Sequence, residues 1–189
     1  MFCADFDEGT AFDAGWVSQA TSRSGNIQLG PSFTGGSAPN ALFLTTAVAT
    51  GSAIVATPDF PLDAAASKHF VAQFSFVASP AEAGIVTLAN LGFLPNESTQ
   101  AALTSDGRIS CADLTVPVSA GPHLLTIDLT VNASGIAESF RCALDNQASA
   151  GTAIAPGAFA FGMHFGPPNT PSATSVALDN IVLYVTDNR

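Results

Sequence analysis

Runs in which large apolar side chains occupy every second position constrain this chain more than any other feature. In Phe70-Val71-Ala72-Gln73-Phe74-Ser75-Phe76, the residues Phe70, Ala72, Phe74 and Phe76 share one face, while Gln73 and Ser75 take the other. Leu125 to Val131 alternates in the same way, and Ala158 to Phe165 again spaces its large apolar residues by two. A period of two belongs to a strand with one face in a core and one in water. Val176 to Val185 is apolar on both faces, which predicts a central strand, or one covered on both sides. Turn signals such as Gly35-Gly36-Ser37, Ser119-Ala120-Gly121-Pro122 and Gly166-Pro167-Pro168 separate the runs. Asp106-Gly107 and Asn132-Ala133-Ser134-Gly135 predict hairpins. About a dozen short strands at spacings of ~8–12 residues predict a sandwich or barrel. Pro61 to Ser67 is the one stretch suited to a helical turn. No linker or repeat divides the chain, so residues 1–189 read as a single domain.

Composition narrows the function. An apolar fraction of 47% against 11% charged residues excludes a disordered chain. No run approaches the ~20 apolar residues of a membrane helix, which argues against membrane insertion. Fifteen acidic residues face five basic ones, a formal net charge of −10. Binding nucleic acid requires a basic patch to neutralise phosphates, and anionic membranes repel such a chain. One Lys and four Glu leave Ser, Thr, Ala, Gly and Asn to solubilise the surface, as in exported bacterial β-proteins. The start, Met1-Phe2-Cys3-Ala4-Asp5, has no signal-peptide pattern. Met1 reads as an added start on a mature chain that is secreted, periplasmic or at the cell surface.

Three cysteines allow one disulfide, in three connectivities. Cys111 and Cys142 each lie in a strand-like segment with another strand between them. Neighbouring or next-neighbour strands bring Cα atoms within the ~6 Å a disulfide needs, so this pair is preferred. Cys3 with either partner, or three buried thiols, are the alternatives. No Cys/His spacing suggests zinc.

Cys3-Ala4-Asp5-Phe6-Asp7-Glu8-Gly9-Thr10, followed by Trp16, resembles the first strand of concanavalin A-like jelly rolls, which include laminin-G-like domains and laminarinase-type glucanases. Ser37-Ala38-Pro39-Asn40-Ala41-Leu42, Gly121-Pro122-His123-Leu124, Ala143-Leu144-Asp145-Asn146 and Leu178-Asp179-Asn180-Ile181-Val182-Leu183 resemble further segments, in the same order, of exported bacterial (myxobacteria-like) members. Pro122 stands where these carry Trp, and Asn146 where they carry Gly. The resemblance implies an all-β, two-sheet antiparallel β-sandwich of jelly-roll type and a glycan as the ligand class. It also implies a structural calcium joining the first and last strands. Asp179 matches the closing carboxylate, and Asp5, Asp7 and Glu8 supply hard oxygens opposite it, which suit calcium. The fold itself hosts lectins, glycosidases and structural modules alike.

The residues speak to the chemistry independently. Retaining glucanases of this kind set two carboxylates on one strand as E-x-D-x-x-E, about 5–5.5 Å apart. None of Glu8, Glu82, Glu97 and Glu138 has Asp two residues later. There is no G-x-S-x-G nucleophile elbow, and His69, His123 and His164 are scattered and read as structural or surface residues. Asp179 sits on an otherwise apolar strand, where a lone carboxylate is costly unless paired or metal-bound. The alternative is that it bonds backbone amides of a nearby loop. Most of the fourteen Phe take core positions, and Trp16 and Tyr184 read as packing residues. Gln73, Ser75, Thr126, Asp128 and Thr130 face outward and would form a shallow groove. Gln73, Asp128 and the turn residue Asn146 are the ligand-binding candidates. The expected protein is a non-catalytic, lectin-like module binding a glycan or surface protein. A structural or adhesive self-assembly domain is the alternative, and a divergent glycoside hydrolase the third reading.

Overall fold

The computed structural model describes residues 1–4, 6–7, 15–16, 18–22, 24–47, 51–58, 68–78, 85–91, 100–134, 136–153, 163–166 and 173–187. Among them, sixteen strands form in chain order: β1 (Phe2–Ala4), β2 (Ser18–Ser22), β3 (Gly25–Pro31), β4 (Asn40–Thr46), β5 (Ser52–Ala56), β6 (Lys68–Ala78), β7 (Ile85–Leu91) and β8 (Gln100–Thr104). Then follow β9 (Arg108–Cys111), β10 (Leu114–Pro117), β11 (His123–Val131), β12 (Ala137–Leu144), β13 (Gln147–Ala148), β14 (Thr152–Ala153), β15 (Met163–Phe165) and β16 (Thr174–Asp187). The larger sheet has the order β13-β12-β11-β6-β16-β4-β3, with β1 paired to β16 and β14 to β12; the smaller runs β10-β9-β8-β7-β15-β5-β2. The two antiparallel sheets form the expected sandwich. The stretch Pro61 to Ser67, expected as a helical turn, lies outside the described residues, as do residues 158–162 of the third alternating run.

Both expected hairpins close by identifiable chemistry. Gly107, at φ +73°, donates its N–H to the Thr104 carbonyl (3.0 Å) between β8 and β9, a conformation glycine adopts at no steric cost. Asn132 Oδ1 accepts the N–H groups of Ser134 and Ile136, each at 2.9 Å, between β11 and β12. An Asn side chain bonding the backbone two residues on builds a turn of its own.

The alternating residues meet between the sheets. Phe70, Phe74 and Phe76 of β6 are fully buried with Leu125, Ile127 and Leu129 of β11, and removing this apolar surface from water drives the assembly. Phe74 crosses the core to meet Phe165 edge-on, with ring centroids 5.1 Å apart at 88°. Trp16 packs on Phe165 (6.0 Å) and Phe2 (5.1 Å), fastening the N-terminal segment to the core.

Strand β16 is central, as expected, but its apolar character has a different cause. Leu178 opposes both Phe76 and Leu42 and is fully buried. Between Asp179 and Val182 the register against β6 shifts, and Asn180 adopts φ +51°. Beyond the shift, Ile181 and Leu183 are the fully buried residues. One extra residue moves every later side chain to the other face. The run is therefore largely one buried face interrupted by a bulge.

Cys111 of β9 and Cys142 of β12 are joined by a disulfide. Neighbouring or next-neighbour strands are the geometry expected for it; β9 and β12 lie in different sheets. The bond links the two sheets, because both cysteines occupy inward positions on facing layers. Cys3 is an exposed free thiol. A second tie lies beside the bond: Asp113, in the β9–β10 turn, accepts the N–H groups of Gly151 (3.1 Å) and Ala150 (3.2 Å), next to β14. The Gly151 N–H in particular holds the Asp113 carboxyl below its ordinary value of 3.8.

With the cysteines 31 positions apart, replacing both by Ser should lower unfolding stability by about 3–4 kcal/mol, read from urea unfolding. A loss under about 1 kcal/mol would show that the sheets need no covalent tie. Because the folded Asp113 carboxyl is depressed, its contribution is present above 3.8 and fades as pH falls through the lower folded value. Asp113→Asn should therefore be less stable than wild type at pH 7, and the two melting curves should converge at the acid end.

Candidate functional site

The outward face of the larger sheet collects what the core rejects. With Phe70, Ala72 and Phe74 turned inward, β6 presents His69, Val71 and Gln73; β11 presents Thr126, Asp128 and Thr130. Past the bulge, β16 presents Val182 and Tyr184 beside them. Pairing sets these residues in rows across the strands. Val182 stands opposite Gln73, and Gln73 opposite Thr126; Tyr184 stands opposite Val71, and Val71 opposite Asp128.

Two side-chain bonds fix the polar groups. Gln73 Nε2 donates to Thr126 Oγ1 at 3.2 Å. His69 Nδ1 lies 2.7 Å from Asp128 Oδ1, with side chains 26% and 29% exposed. Asp128 also stands opposite Arg141 of β12. Tyr184, read from the sequence as a packing residue, is half-buried on this face, where the bulge sets it. The surface thus joins one phenol ring to an amide, a hydroxyl and a carboxylate held by an imidazole. Such a set can stack on an apolar ring face and bond the hydroxyls at its rim. Gln73 and Asp128 are brought together here. Asn146 is not: it lies past Leu144, at the tip of the two-residue turn between β12 and β13. The pairing of His69 with Asp128 had no local sign in the sequence, since the two residues lie on different strands and 59 positions apart.

A second locus surrounds Asp179, which is fully buried. Its strand position faces outward, opposite Ser75, and the β3–β4 connection covers it. Asn180 N–H donates to Asp179 Oδ1 at 2.8 Å, and Ser37 Oγ donates to the same oxygen at 3.2 Å. Ser32 Oγ lies 3.4 Å from Oδ2. Gly36 is pressed so closely onto the carboxylate that a Cβ there would collide with Asp179 Oδ2 and Ser32 Oγ. Burial pushes the Asp179 carboxyl above its ordinary value; the Asn180 and Ser37 bonds oppose this, and the charge of Asp7 adds to it. Asp7 therefore lies near enough to act on the Asp179 carboxylate. Asp5 and Glu8 lie outside the described residues. Among the described residues, no three carboxylate, His or Cys side chains group as a ready-made metal cluster. Ser32, Gly36 and Ser37 went unassigned in the sequence, although Ser37 opens the segment resembling bacterial jelly rolls.

No protein-family model matches the chain, and no curated protein matches it by sequence. Solved structures do match. Cip1, a cellulose-induced protein, aligns over 97% of this chain and 97% of its own, with a TM-score of 0.66 at 10% identity. A conserved carbohydrate esterase from the Shiga toxin-encoding bacteriophage phi24B aligns over 99% of this chain and 100% of its own, at 0.58 and 12%. The binding domain of botulinum neurotoxin DC, solved in complex with SialylT, aligns over 90% of this chain at 0.56 and 13% identity. This chain spans only 44% of that domain's length. At such identities the likeness is one of fold: two packed antiparallel sheets, a scaffold shared by proteins with different tasks.

Proposed function

We propose that this protein is a glycan-binding β-sandwich module whose contact surface is the open face around Tyr184, Gln73 and Asp128. The observation carrying this reading is the placement of one aromatic ring beside fixed polar groups on neighbouring strands. Carbohydrate-related proteins among its structural neighbours support it. On that face Asp128 is engaged by His69 and not by a second carboxylate, which favours binding over a two-carboxylate cleavage of glycosidic bonds. The Cys111–Cys142 bond supports an oxidising compartment such as the periplasm, the cell surface or the exterior.

The proposal includes a structural calcium at Asp179. A divalent cation would relieve the two influences that raise this carboxyl, its burial and its proximity to Asp7. Asp179 and Asp7 would hold it, pinning the first segment of the chain to its last strand.

Three measurements test these readings. A panel of soluble β-glucan, xylan and sialyl oligosaccharides should raise the melting midpoint for one class. Tyr184→Ala should weaken that binding by about tenfold or more. If no glycan shifts the midpoint, the open face is not a glycan site. Calcium should raise the midpoint and EDTA reverse it, and Asp179→Ala should abolish the shift. Gly36→Ala should cost about 1–3 kcal/mol by crowding the same carboxylate and should abolish the calcium shift as well. A calcium response that survives both substitutions would place the cation elsewhere.

A further inference from the structure

At the end of the sandwich, three side chains from two segments come together in an order the binding reading leaves unexplained. His123, the first residue of β11, points inward against Phe76, with ring centroids 5.7 Å apart. Its side chain is only 9% exposed. Its Nδ1 lies 2.7 Å from Asp145 Oδ2. Its Nε2 lies 3.4 Å from Ser119 Oγ and 3.0 Å from the Ser119 carbonyl oxygen. Asp145 is itself held, because its Oδ1 accepts the Leu124 N–H at 2.9 Å while its own N–H donates to the Leu124 carbonyl at 2.8 Å. It adopts φ +51° to do so, a conformation that Asp tolerates better than most residues. Ser119 is exposed and opens onto a cavity of about 270 Å³ between the two sheets, walled by Val77, Leu103 and Val118 with Ala120 and Gly121 beyond.

A hydroxyl, an imidazole and a carboxylate in that order, each bonded to the next, are the parts of a nucleophilic acyl-transfer site. We infer that Ser119, His123 and Asp145 form such a site, and that its substrate is a short-chain acyl ester whose acyl group enters the apolar cavity. Asp145 fixes the tautomer: an ionised carboxylate keeps the ring proton on Nδ1 and leaves the Nε2 lone pair toward Ser119. Burial works against the charge of Asp145, but the Leu124 N–H and His123 outweigh it, so this carboxyl is held below its ordinary value. The 3.4 Å from Nε2 to Oγ is long, as catalytic hydrogen bonds often are before substrate binds, and Ser119 sits on an exposed turn able to close it.

The chemistry balances without a cofactor. Nε2 takes the Ser119 hydroxyl proton as Oγ bonds to the ester carbonyl carbon, and the carbonyl π electrons move to its oxygen. The amides following the nucleophile, at Ala120 and Gly121, line the same cavity and would serve as donors for that oxyanion. On collapse the bond to the alcohol oxygen breaks, and that oxygen leaves with the proton from Nε2. Water then attacks the acyl-Ser119 carbonyl, giving its proton to Nε2. The acid departs as Oγ recovers that proton.

The test uses the full chain with p-nitrophenyl acetate and p-nitrophenyl butyrate as substrates and a fluorophosphonate probe for the nucleophile. Wild type should hydrolyse the esters about a hundredfold or more faster than Ser119→Ala. The fluorophosphonate adduct should map to Ser119 by peptide mass spectrometry. Because Ser119 is exposed, its replacement should leave the melting midpoint unchanged, so the comparison does not depend on His123 or Asp145 variants that share structural bonds. Equal rates for wild type and Ser119→Ala, or no adduct on Ser119, would overturn the assignment. Glycan binding at Tyr184 is read separately, and neither result determines the other.

Discussion

If β16 kept unbroken alternation from Val176 onward, the side that buries Leu178 would also receive Asn180, Val182 and Tyr184, and Leu183 would face water. The register shift at Asp179 and Asn180 prevents this. It costs one residue in a left-handed conformation, which Asn accommodates. In return, Ile181 and Leu183 reach the core and Tyr184 reaches the open face. The proposed glycan face thus follows from one irregularity in the central strand, and the Asn180 N–H at that irregularity caps the Asp179 carboxylate. A bulge at such a place re-aims side chains in the way functional sites exploit.

The elements whose pattern is local were legible in the sequence. Phe70 to Phe76 and Leu125 to Val131 alternate over their whole length, and a period of two leaves a strand little choice of face. The Asn132 and Gly107 turns were legible for the same reason, since the residue that makes each turn lies within it. Cys111 and Cys142 were paired correctly on an incomplete argument, because which strands share a sheet is a long-range fact and local pattern does not carry it. The face that Tyr184 takes was not legible, because a bulge leaves no periodic trace when apolar residues flank it on both sides. The partnership of Asp145 with His123 across 22 positions depends on the sheet bringing β11 beside the end of β12. Nothing in the spacing of the three histidines distinguishes His123 from the others.

The loci at this end of the sandwich are neighbours in space. Gly35, at φ +94° in the loop over Asp179, lies against Pro122, which precedes His123. Pro122 occupies the place where the resembling jelly rolls carry Trp. Its pyrrolidine ring fixes the backbone entering β11. Whatever holds the β3–β4 loop onto Asp179 therefore also buttresses the turn that carries Ser119.

A chain with fifteen acidic and five basic residues cannot answer each carboxylate with a cation of its own, and its structure shows the substitute: main-chain amides. Asp113 takes two such N–H groups from Gly151 and Ala150, and Asp145 takes one from Leu124 together with the His123 ring. Both carboxyls are held below their ordinary values. Asp179 receives the Asn180 N–H and the Ser37 hydroxyl, yet its carboxyl is displaced upward. The difference lies in the surroundings. Asp113 and Asp145 keep contact with water, whereas Asp179 is sealed under a loop with the charge of Asp7 nearby. Hydrogen-bond donors of partial charge offset the desolvation of a carboxylate only while solvent shares the task. Once water is excluded and a second carboxylate approaches, a full positive charge is the economical answer. This is why the calcium proposal rests on Asp179 and not on any of the better-capped carboxylates.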